Sequence, residues 1–568
     1  MIEKDRYSEV INSLQEISNH YENDVMSNAV ATLNITKDEF ELKVLVVGHF
    51  NAGKSSLINK FVNRENLLAE DQGETTAIAS ELRYSDEEQA YSYNKSNQRE
   101  KMIAGKVYLP SEYDHLLYYL NAEGLKKIED FVLVDTPGFD TALEEHTKAL
   151  TSYLKYGVGF IVVVDVEKGG LDSQTLGYIH EISQYTDHIS VLLNKCDKQI
   201  PEQVEKVVEQ VKFTLEQRGF DYPVYTISKF DADIVEKVCA IVSGIDAQGE
   251  YDKAVKKVII SNVKMIREAL SVVSENKFLD TYEWDECIRI QERNRELIAK
   301  SFERKRKELT DNIDEDVEGI LGSVKSVLSG KADSAAIAVG NGNVEGLQAI
   351  VMDAVRPVLI REVKGFTAET LREVAHSISF TVRQDVAEEQ ELDSIVLSVG
   401  EKIQGLIESG KFGKEKADTE SKKQDSKTGM GGNDFYKLVT AAISLTTEAV
   451  APWMEMIVIL LPEIVAGLKS LFGESNHSKI RKQYEAEIIP QVINSLWPTV
   501  KDGMQDNVDA IISMFEEEMD NSMDSISQLI NDAKNKKNLS EEEYQAFCSM
   551  LEKDIAEINQ LLEELENE

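Results

Sequence analysis

The stretch VLVVGHFNAGKSS at residues 44–56 decides the fold of this chain. Its first four residues form a β-branched apolar run, which is typical of a buried parallel strand. The following residues fit the pattern GxxxxGK(S/T), and residues 56–62 have a helical pattern. A strand, a glycine-rich turn and a helix in this order are the context of a phosphate-binding loop. We therefore expect this segment to bind the phosphates of a nucleotide.

Each part of the loop has an expected role. Glycines allow backbone N–H groups to approach phosphate oxygens, and the start of the next helix adds partial positive charge. We expect Lys54 to neutralise the β- and γ-phosphates and Ser55 to bind Mg²⁺. The residues of this segment expected to contact the nucleotide are Gly48, Asn51, Ala52, Gly53, Lys54, Ser55 and Ser56.

Four more apolar runs predict further buried strands, with polar, helix-compatible segments between them. They are Phe131–Val134, Phe160–Val164, Ile189–Leu193 and Val224–Ile227. Alternating strand and helix signals predict a doubly wound α/β domain with a mostly parallel sheet over about residues 41–245. The long interval between Lys54 and Asp135 indicates an insertion at about residues 80–126, which enlarges the domain.

A second motif, DTPG at residues 135–138, follows the second of these strands. The Asp135 carboxylate can hold Mg²⁺ through water, and the Gly138 amide can contact the γ-phosphate. In a small GTPase a glutamine that positions the attacking water often follows this motif. Here that place is taken by Phe139, so we expect slow hydrolysis until another group is supplied.

The segment NKCD at residues 194–197 follows the Ile189–Leu193 run and fits the guanine-reading pattern NKxD. The Asp197 carboxylate can accept hydrogen bonds from both N1–H and the 2-amino group of guanine, whereas adenine offers no such pair of donors. The stem of Lys195 can cover the base, and Asn194 completes the predicted contacts at this strand end. We expect GTP or GDP, with Mg²⁺, as the ligand.

Two less specific features complete the predicted site. Either Thr75 or Thr76 is expected to contact Mg²⁺ and the γ-phosphate from a switch loop, with a plain polar loop as the alternative. Ser228 and Lys229 follow the Val224–Ile227 run and are expected to form a second base-contacting loop. The predicted catalytic residues are Lys54, Ser55, Thr75, Thr76, Asp135 and Gly138. The predicted metal ligands are Ser55, Thr75, Thr76 and Asp135.

Outside the α/β domain the pattern is helical. Val10, Leu14, Ile17, Tyr21 and Val25 recur at helical spacing and predict one helix over residues 6–35. The domain boundaries that we expect are an N-terminal helix at 1–40 packing with neck helices, the GTPase domain at 41–245, a helical neck and trunk at 246–410, a Lys/Gly-rich loop at 411–434, an apolar tip at 435–475, and returning trunk and neck helices at 476–568.

Four motifs resemble those of bacterial dynamin-like GTPases: GHFNAGKSSLIN (48–59), GETTA (73–77), LVDTPGFD (133–140) and LLNKCD (192–197). The layout of one large GTPase domain, a long helical trunk and an apolar segment also resembles this family, and size and layout resemble the Leo-type members. The resemblance implies that GTPase domains pair across their nucleotide faces, and that pairing stimulates hydrolysis. The partner would be a second copy of this chain or a related dynamin-like protein. Trunk movement would then do work on a membrane.

One departure from the family pattern concerns the attacking water. Eukaryotic dynamins place a water-orienting glutamine two residues after the first glycine of the phosphate loop. This chain has Phe50 there, followed by Asn51. The motifs therefore assign no side chain to the position of the attacking water.

The apolar tip has two interpretations. Residues 453–472 predict a helix with a broad apolar face, interrupted by Glu455, Glu463 and Lys469. With the lysine-rich residues 411–427 before it, the segment 411–472 could contact an anionic membrane. The alternative is a core helix of the trunk.

The amino-acid composition indicates which binding partners and which cellular compartment to expect. Asp and Glu number 102 against 62 Lys and Arg, and the resulting net charge of −40 argues against nucleic-acid binding. The four cysteines form no CxxC pair, which favours free thiols in a reducing compartment. No apolar stretch suggests a signal peptide or a membrane span, so we expect a cytoplasmic protein, peripheral at the inner membrane.

The function expected from these features is GTP hydrolysis to GDP and phosphate by a mechanochemical dynamin-like GTPase. A regulatory GTPase whose helical trunk binds a protein partner, without membrane remodelling, is the alternative. A scaffold without turnover is disfavoured by the intact Lys54, Ser55 and Asp135.

Overall fold

The computed structural model describes most of the chain. The described residues are 2–68, 78–96, 98–103, 106, 108–109, 112–138, 157–183, 186–277, 281–385, 453 and 477–567. Several predicted features lie outside them, namely Thr75, Thr76, Phe139, the 411–434 loop and the apolar tip apart from Trp453.

The N-terminal segment forms two α-helices, so the prediction of one helix over residues 6–35 is wrong. The elements are a short 3-10 helix at Lys4–Tyr7, α1 at Ser8–Ser18 and α2 at Asp24–Glu39. The chain turns because Asn23 caps α2, with its side-chain oxygen accepting a hydrogen bond from Met26 N at 2.9 Å. The turn also shifts the apolar stripe, since Met26 is fully buried and Val25 only partly so.

A nine-stranded sheet forms the core of the α/β domain. Its strands are β1 (Leu42–Gly48), β2 (Ala79–Tyr84), β3 (Gln89–Asn94), β4 (Arg99–Lys101), β5 (Tyr113–Leu120), β6 (Phe131–Asp135), β7 (Gly157–Asp165), β8 (Ile189–Asn194) and β9 (Val224–Thr226). The order is β4-β3-β5-β2-β6-β1-β7-β8-β9. The five strands from β6 to β9 in this order pair in parallel, and they are the five that the apolar runs predict.

The predicted insertion extends this sheet on one side. Strand β2 pairs antiparallel with β6, and β5, β3 and β4 continue outward from β2. Strand β4 is exposed, β3 is mostly half-buried, and the buried positions of β2 and β5 include polar side chains such as Glu81 and His115. These strands lack the continuous apolar runs of strands buried on both faces, so the sequence did not reveal them.

Helices cover both faces of the sheet. They are α3 (Lys54–Phe61), α4 (Glu123–Lys127), α5 (Ser173–Ile182), α6 (Pro201–Glu216) and α7 (Ile234–Val242). Because successive strand residues point to opposite faces, Val44 and Val46 pack in the same core as α3 and α7. Leu45 and Val47 pack in the core that includes α5 and α6. This arrangement confirms the doubly wound α/β prediction.

The remaining described residues are helical, as predicted. The helices are α8 (Ala247–Glu275), α9 (Thr281–Gly330), α10 (Ala332–Gly340), α11 (Val344–Asp385), α12 (His477–Gln483), α13 (Ile489–Leu539) and α14 (Glu541–Asn567), with a π-helical turn at Tyr484–Ile488 between α12 and α13. Helix α9, with 50 residues, is about 75 Å long at 1.5 Å per residue, and it packs along α13 and α11.

Trp453, the first residue of the predicted apolar helix, belongs to the trunk core. It is 1% exposed, and a Cβ at Gly503 of α13 would lie 2.9 Å from its indole Cζ2. The missing side chain at Gly503 therefore allows the ring to approach. Among the described residues, no helix combines the length and apolar character needed to cross a bilayer.

The sequence Ser-Glu-Glu-Glu at residues 540–543 fits a capping box before α14, and the structure forms half of it. The Ser540 hydroxyl accepts a hydrogen bond from Glu543 N at 3.1 Å, as expected. The Glu543 carboxylate, however, accepts from the Ser540 hydroxyl, while Ser540 N donates to the Lys536 carbonyl at 3.3 Å. Since α13 ends directly before this serine, the Lys536 carbonyl in its last turn accepts the hydrogen bond from Ser540 N.

The N-terminal helices are joined to the C-terminal ones by buried polar contacts. Tyr21 donates its hydroxyl to Asp554 of α14 at 2.7 Å, and His20 Nδ1 lies 2.8 Å from the same carboxylate. Burial, together with this bond, raises the pKa of Tyr21. Asn23 donates to the Ser525 carbonyl of α13 at 2.8 Å.

We expect Asn23→Ala to lower stability by about 1–3 kcal/mol, because the Met26 N–H loses its capping acceptor and the buried bond to the Ser525 carbonyl is lost. Thermal unfolding of the full chain measures the change, at about 2–4 °C per kcal/mol. Asn19→Ala is the matched control, since the Asn19 side chain is exposed and, among the described residues, is bonded only to Gln15. Equal melting temperatures for both variants would contradict the role of Asn23.

Candidate functional site

The phosphate loop lies between β1 and α3, and two of its glycines are required by close contacts. Gly48 has φ +154°, and a Cβ there would lie 2.3 Å from the Val163 carbonyl oxygen of β7. Gly53 has φ +92°, and a Cβ there would lie 2.4 Å from Asn194 Nδ2. Any other residue at these two positions would push the loop away from the neighbouring strand ends.

Lys54 begins α3 and folds back over this loop. Its side chain is buried, and its ammonium donates to the carbonyl oxygens of Gly48 and His49, at 3.0 Å each. The positive charge is thereby held at the loop that the motif assigns to the phosphates.

Ser55 and Asp135 come together at the end of β6. The Ser55 hydroxyl donates to Asp135 Oδ2 at 2.8 Å. Asp135 Oδ1 is buried and has no hydrogen-bond partner among the described residues. Burial raises the pKa of Asp135 to about 6, although Lys54 and the Ser55 bond act in the opposite direction. A hydroxyl beside a carboxylate with an unused oxygen is a donor set that suits Mg²⁺.

The NKCD segment is bonded directly to the phosphate loop. Asn194 at the end of β8 donates from Nδ2 to the Ala52 carbonyl at 3.0 Å. Lys195 has φ +62°, and its ammonium donates to the Asn51 carbonyl at 2.6 Å and to Asp165 Oδ2 at 2.7 Å. These bonds fix the distance between the predicted base-binding and phosphate-binding parts of the site.

The second predicted base loop meets Asp197. The Ser228 hydroxyl donates to Asp197 Oδ1 at 2.8 Å and accepts from Phe230 N at 3.1 Å. This orients the exposed Asp197 carboxylate. Lys229 is exposed, with its ammonium 5.0 Å from the centre of the Phe230 ring.

The structure thus brings together most of the predicted site residues. Ser56 lies in the first turn of α3, and Gly138 is buried just after β6. Thr75 and Thr76 lie outside the described residues, so their part in the site stays a prediction.

Behind the phosphate loop lies a cluster of polar side chains that no sequence motif predicts. His49 is buried, and its Nε2 lies 2.9 Å from Asp172 Oδ2 and 3.0 Å from Thr175 Oγ1. Asp172 also accepts from Thr175 N at 2.8 Å and caps α5. Burial would raise the pKa of Asp172, but the hydrogen bonds from His49 and Thr175 outweigh it and hold the pKa well below its usual range. The phosphate-loop pattern allows any residue at position 49, so it does not single out His49. In the sequence, Asp172 and Thr175 have only the spacing of a helix cap.

A glycine-rich loop between a parallel strand and a helix, bonded to an NKxD segment, defines a P-loop GTPase domain. Residues 44–196 match the model of the dynamin family. Over these residues the chain is similar to the dynamin family, and its nucleotide domain has the motifs of a GTPase domain.

More distant relatives agree with the GTPase assignment. GTPase Der of Halalkalibacterium halodurans is 27% identical over 208 residues, which are 35% of this chain and 45% of Der. An uncharacterised protein of Caldicellulosiruptor is 23% identical over 216 residues, or 34% of this chain and 50% of that protein. The chain spans about half the length of the curated relatives it matches.

A solved structure of an oligomerised bacterial dynamin pair aligns with 100% of this chain and 95% of its own length, at 13% identity and a TM-score of 0.32. This similarity is too weak to support an argument about the fold or the function.

We expect Asp135→Asn to raise the melting temperature of the nucleotide-free protein at pH 7.5. A carboxyl whose pKa rises from 3.8 to about 6 on folding costs up to about 3 kcal/mol above pH 6, where it must be ionised in the core. The carboxyl contributes no such cost below pH 4, because it is then protonated in both states. The advantage of the variant should therefore shrink as the pH falls from 7.5 to 4.5.

Differential scanning fluorimetry across this pH range tests the expectation. Glu129→Gln, at an exposed carboxylate just before the same strand, is the control for a general charge effect. A variant that is less stable than the wild type at pH 7.5 would show that Asp135 has a partner that compensates for its burial.

Proposed function

We propose that this protein binds GTP with Mg²⁺ and hydrolyses it to GDP and phosphate. The observation that carries the proposal is the pair of bonds from Asn194 and Lys195 to the Ala52 and Asn51 carbonyls. These bonds hold a guanine-reading segment at a fixed position beside a phosphate loop, so that one nucleotide can occupy both.

The residues of the site have separate tasks in this proposal. The backbone N–H groups of the phosphate loop and the Lys54 ammonium bind the β- and γ-phosphates. Ser55 would bind Mg²⁺ directly and Asp135 would hold it through water; when bound, the ion neutralises charge on the phosphate oxygens. Asp197 accepts from the guanine N1–H and 2-amino group, while Ser228 holds its carboxylate in place.

The position of the attacking water limits the rate. Neither the Phe50 nor the Phe139 side chain has a polar group with which to orient a water molecule. We propose that the switch threonine, Thr75 or Thr76, and a second molecule supply the missing contacts, as the similarity of residues 44–196 to the dynamin family favours. Pairing of GTPase domains would then stimulate hydrolysis.

The domain roles follow from the same proposal. The GTPase domain at 41–245 would drive a trunk formed by 246–410 and 476–568, with the N-terminal segment 1–40 in the neck. The trunk helices α9 and α13, with 50 and 51 residues, are long enough to transmit a movement over a distance of about 75 Å. The tip at 435–475 and the lysine-rich loop at 411–434 are the proposed contact with an anionic membrane, at its cytoplasmic face.

A protein partner on the trunk is the second candidate, and the position of Trp453 favours it. This residue packs in the trunk core beside Gly503, so at least the first residue of the apolar stretch is already covered by protein. A trunk whose apolar stretch is internal would present its charged surface to a partner.

We expect Asp197→Asn to weaken GTP binding by at least about 100-fold and to favour xanthosine triphosphate over GTP. The amide offers a donor to the 2-oxo group of xanthine, whereas it opposes the 2-amino group of guanine. Competition of both nucleotides against a fluorescent GTP analogue measures the preference. Lys54→Ala is the control, because it should weaken both nucleotides alike. An unchanged preference for GTP in Asp197→Asn would remove Asp197 from the base site.

We expect the GTPase rate per molecule to rise several-fold with protein concentration, or on adding anionic liposomes. Pairing, or clustering on lipid, would complete the catalytic site. Phosphate release is measured from nanomolar to micromolar protein, with phosphatidylglycerol vesicles, neutral vesicles and no lipid. A rate that is flat in all conditions and rises only with a protein partner would support the regulatory GTPase. Binding without turnover in every condition would support the scaffold.

A further inference from the structure

Helix α5 lies between the phosphate loop and the trunk. At its first turn the buried His49 side chain of the loop lies 2.9 Å from Asp172 Oδ2 and 3.0 Å from Thr175 Oγ1. This is a contact between the loop that holds the phosphates and the start of a helix that contributes no predicted nucleotide ligand. Through this contact the phosphate loop helps to position the start of α5.

The same helix packs against trunk helix α11. The guanidinium carbon of Arg356 on α11 lies 6.0 Å from the centre of the Tyr178 ring, a cation–π distance. Thr175 and Tyr178 are three residues apart, so they lie on the same side of α5. Contacts to the phosphate loop and to the trunk are therefore separated by a single helical turn.

The remaining side of α5 is held by the domain core. Ile179 and Ile182 are fully buried in the core formed with Val162 and Val164 of β7. Because such cores are close-packed, the helix moves as one body and does not bend to absorb a shift at one end. A displacement of His49 would thus reach Tyr178.

We propose that α5 couples the nucleotide state of the phosphate loop to the trunk through His49, Asp172, Thr175 and the Tyr178–Arg356 contact. Nucleotide contacts at the loop shift His49, and α5 changes its packing on α11. By linkage, a change on the trunk side must alter nucleotide affinity by the same factor. The coupling rests on the proposed binding of GTP at this loop, and Asp172 and Thr175 are positioning residues.

The test uses Arg356, a residue of trunk helix α11 that lies outside the predicted nucleotide motifs. Arg356→Ala in the full chain should change the dissociation constant for a fluorescent GTP analogue about fivefold or more, the lower range of allosteric coupling. Arg361→Ala is the matched control. Arg361 lies on the same helix and is paired with Glu362, and its side chain is 55% exposed. The control should bind like the wild type.

A double-variant cycle shows whether the effect passes through α5. Asp172→Ser keeps a residue that caps helices well but shortens the side chain that reaches His49. Independent distant changes multiply to within about twofold. If the effect passes through α5, Arg356→Ala should have little further effect in the Asp172→Ser background. If the double variant changes the dissociation constant by the product of the two single fold-changes, the proposal is wrong.

Hydrogen exchange gives a second measure on the trunk side. Adding GTP should change the protection of residues 351–360 in the wild type and in Arg361→Ala, but not in Asp172→Ser. If the wild type binds GTP and Arg356→Ala binds it equally well, the coupling is wrong and the proposed function stands. If the wild type does not bind GTP, both are wrong.

Discussion

The carboxyl ends of the parallel strands β6, β1, β7 and β8 meet at one edge of the sheet, and every polar contact of the site depends on this constraint. Strand β1 delivers the phosphate loop, β6 delivers Asp135, and β8 delivers Asn194. Because each strand is buried on both faces, none can slide without exposing apolar residues. The positions of the charged groups are therefore set by packing before any nucleotide binds.

Two buried carboxylates of this sheet illustrate how stability and function are divided. Burial would raise the pKa of Glu81, but Lys43, with its ammonium 2.6 Å away, and Arg83 hold it well below the usual range. Asp135, one strand away, keeps a raised pKa because Ser55 and Lys54 compensate for its burial only in part. Glu81 is a satisfied structural charge. Asp135 has a carboxylate oxygen without a hydrogen-bond partner among the described residues, and a bound cation would supply that partner. Burying this carboxylate costs folding free energy, and such a cost is typical of a binding site.

The contact between the GTPase domain and the trunk has a consequence for how the two could act together. Helix α5 contacts the phosphate loop through Asp172 and Thr175 and the trunk through Tyr178, within about two turns. A small displacement therefore needs no long relay of side chains. It would be enlarged by α11 and α9, whose lengths turn a slight rotation at the domain into a larger shift at the far end of the trunk.

The sequence by itself determined the parallel core and the nucleotide motifs. Continuous apolar runs marked the strands from β6 to β9, and the spacing of Lys54, Asp135 and Asn194 placed three motifs at strand ends. Such signals are local, because a doubly buried strand and a glycine-rich turn each restrict the residue types at successive positions.

Only the tertiary structure decided the features that depend on contacts between distant residues. It added β2–β5, whose polar residues are stabilised by partners on other strands, and it divided the N-terminal helix at Asn23, which bonds to Ser525 some 500 residues away. It also showed His49 bonded to Asp172, at a loop position that the motif leaves open. No periodicity in the sequence records such pairings, because each partner has an ordinary local environment until the chain folds.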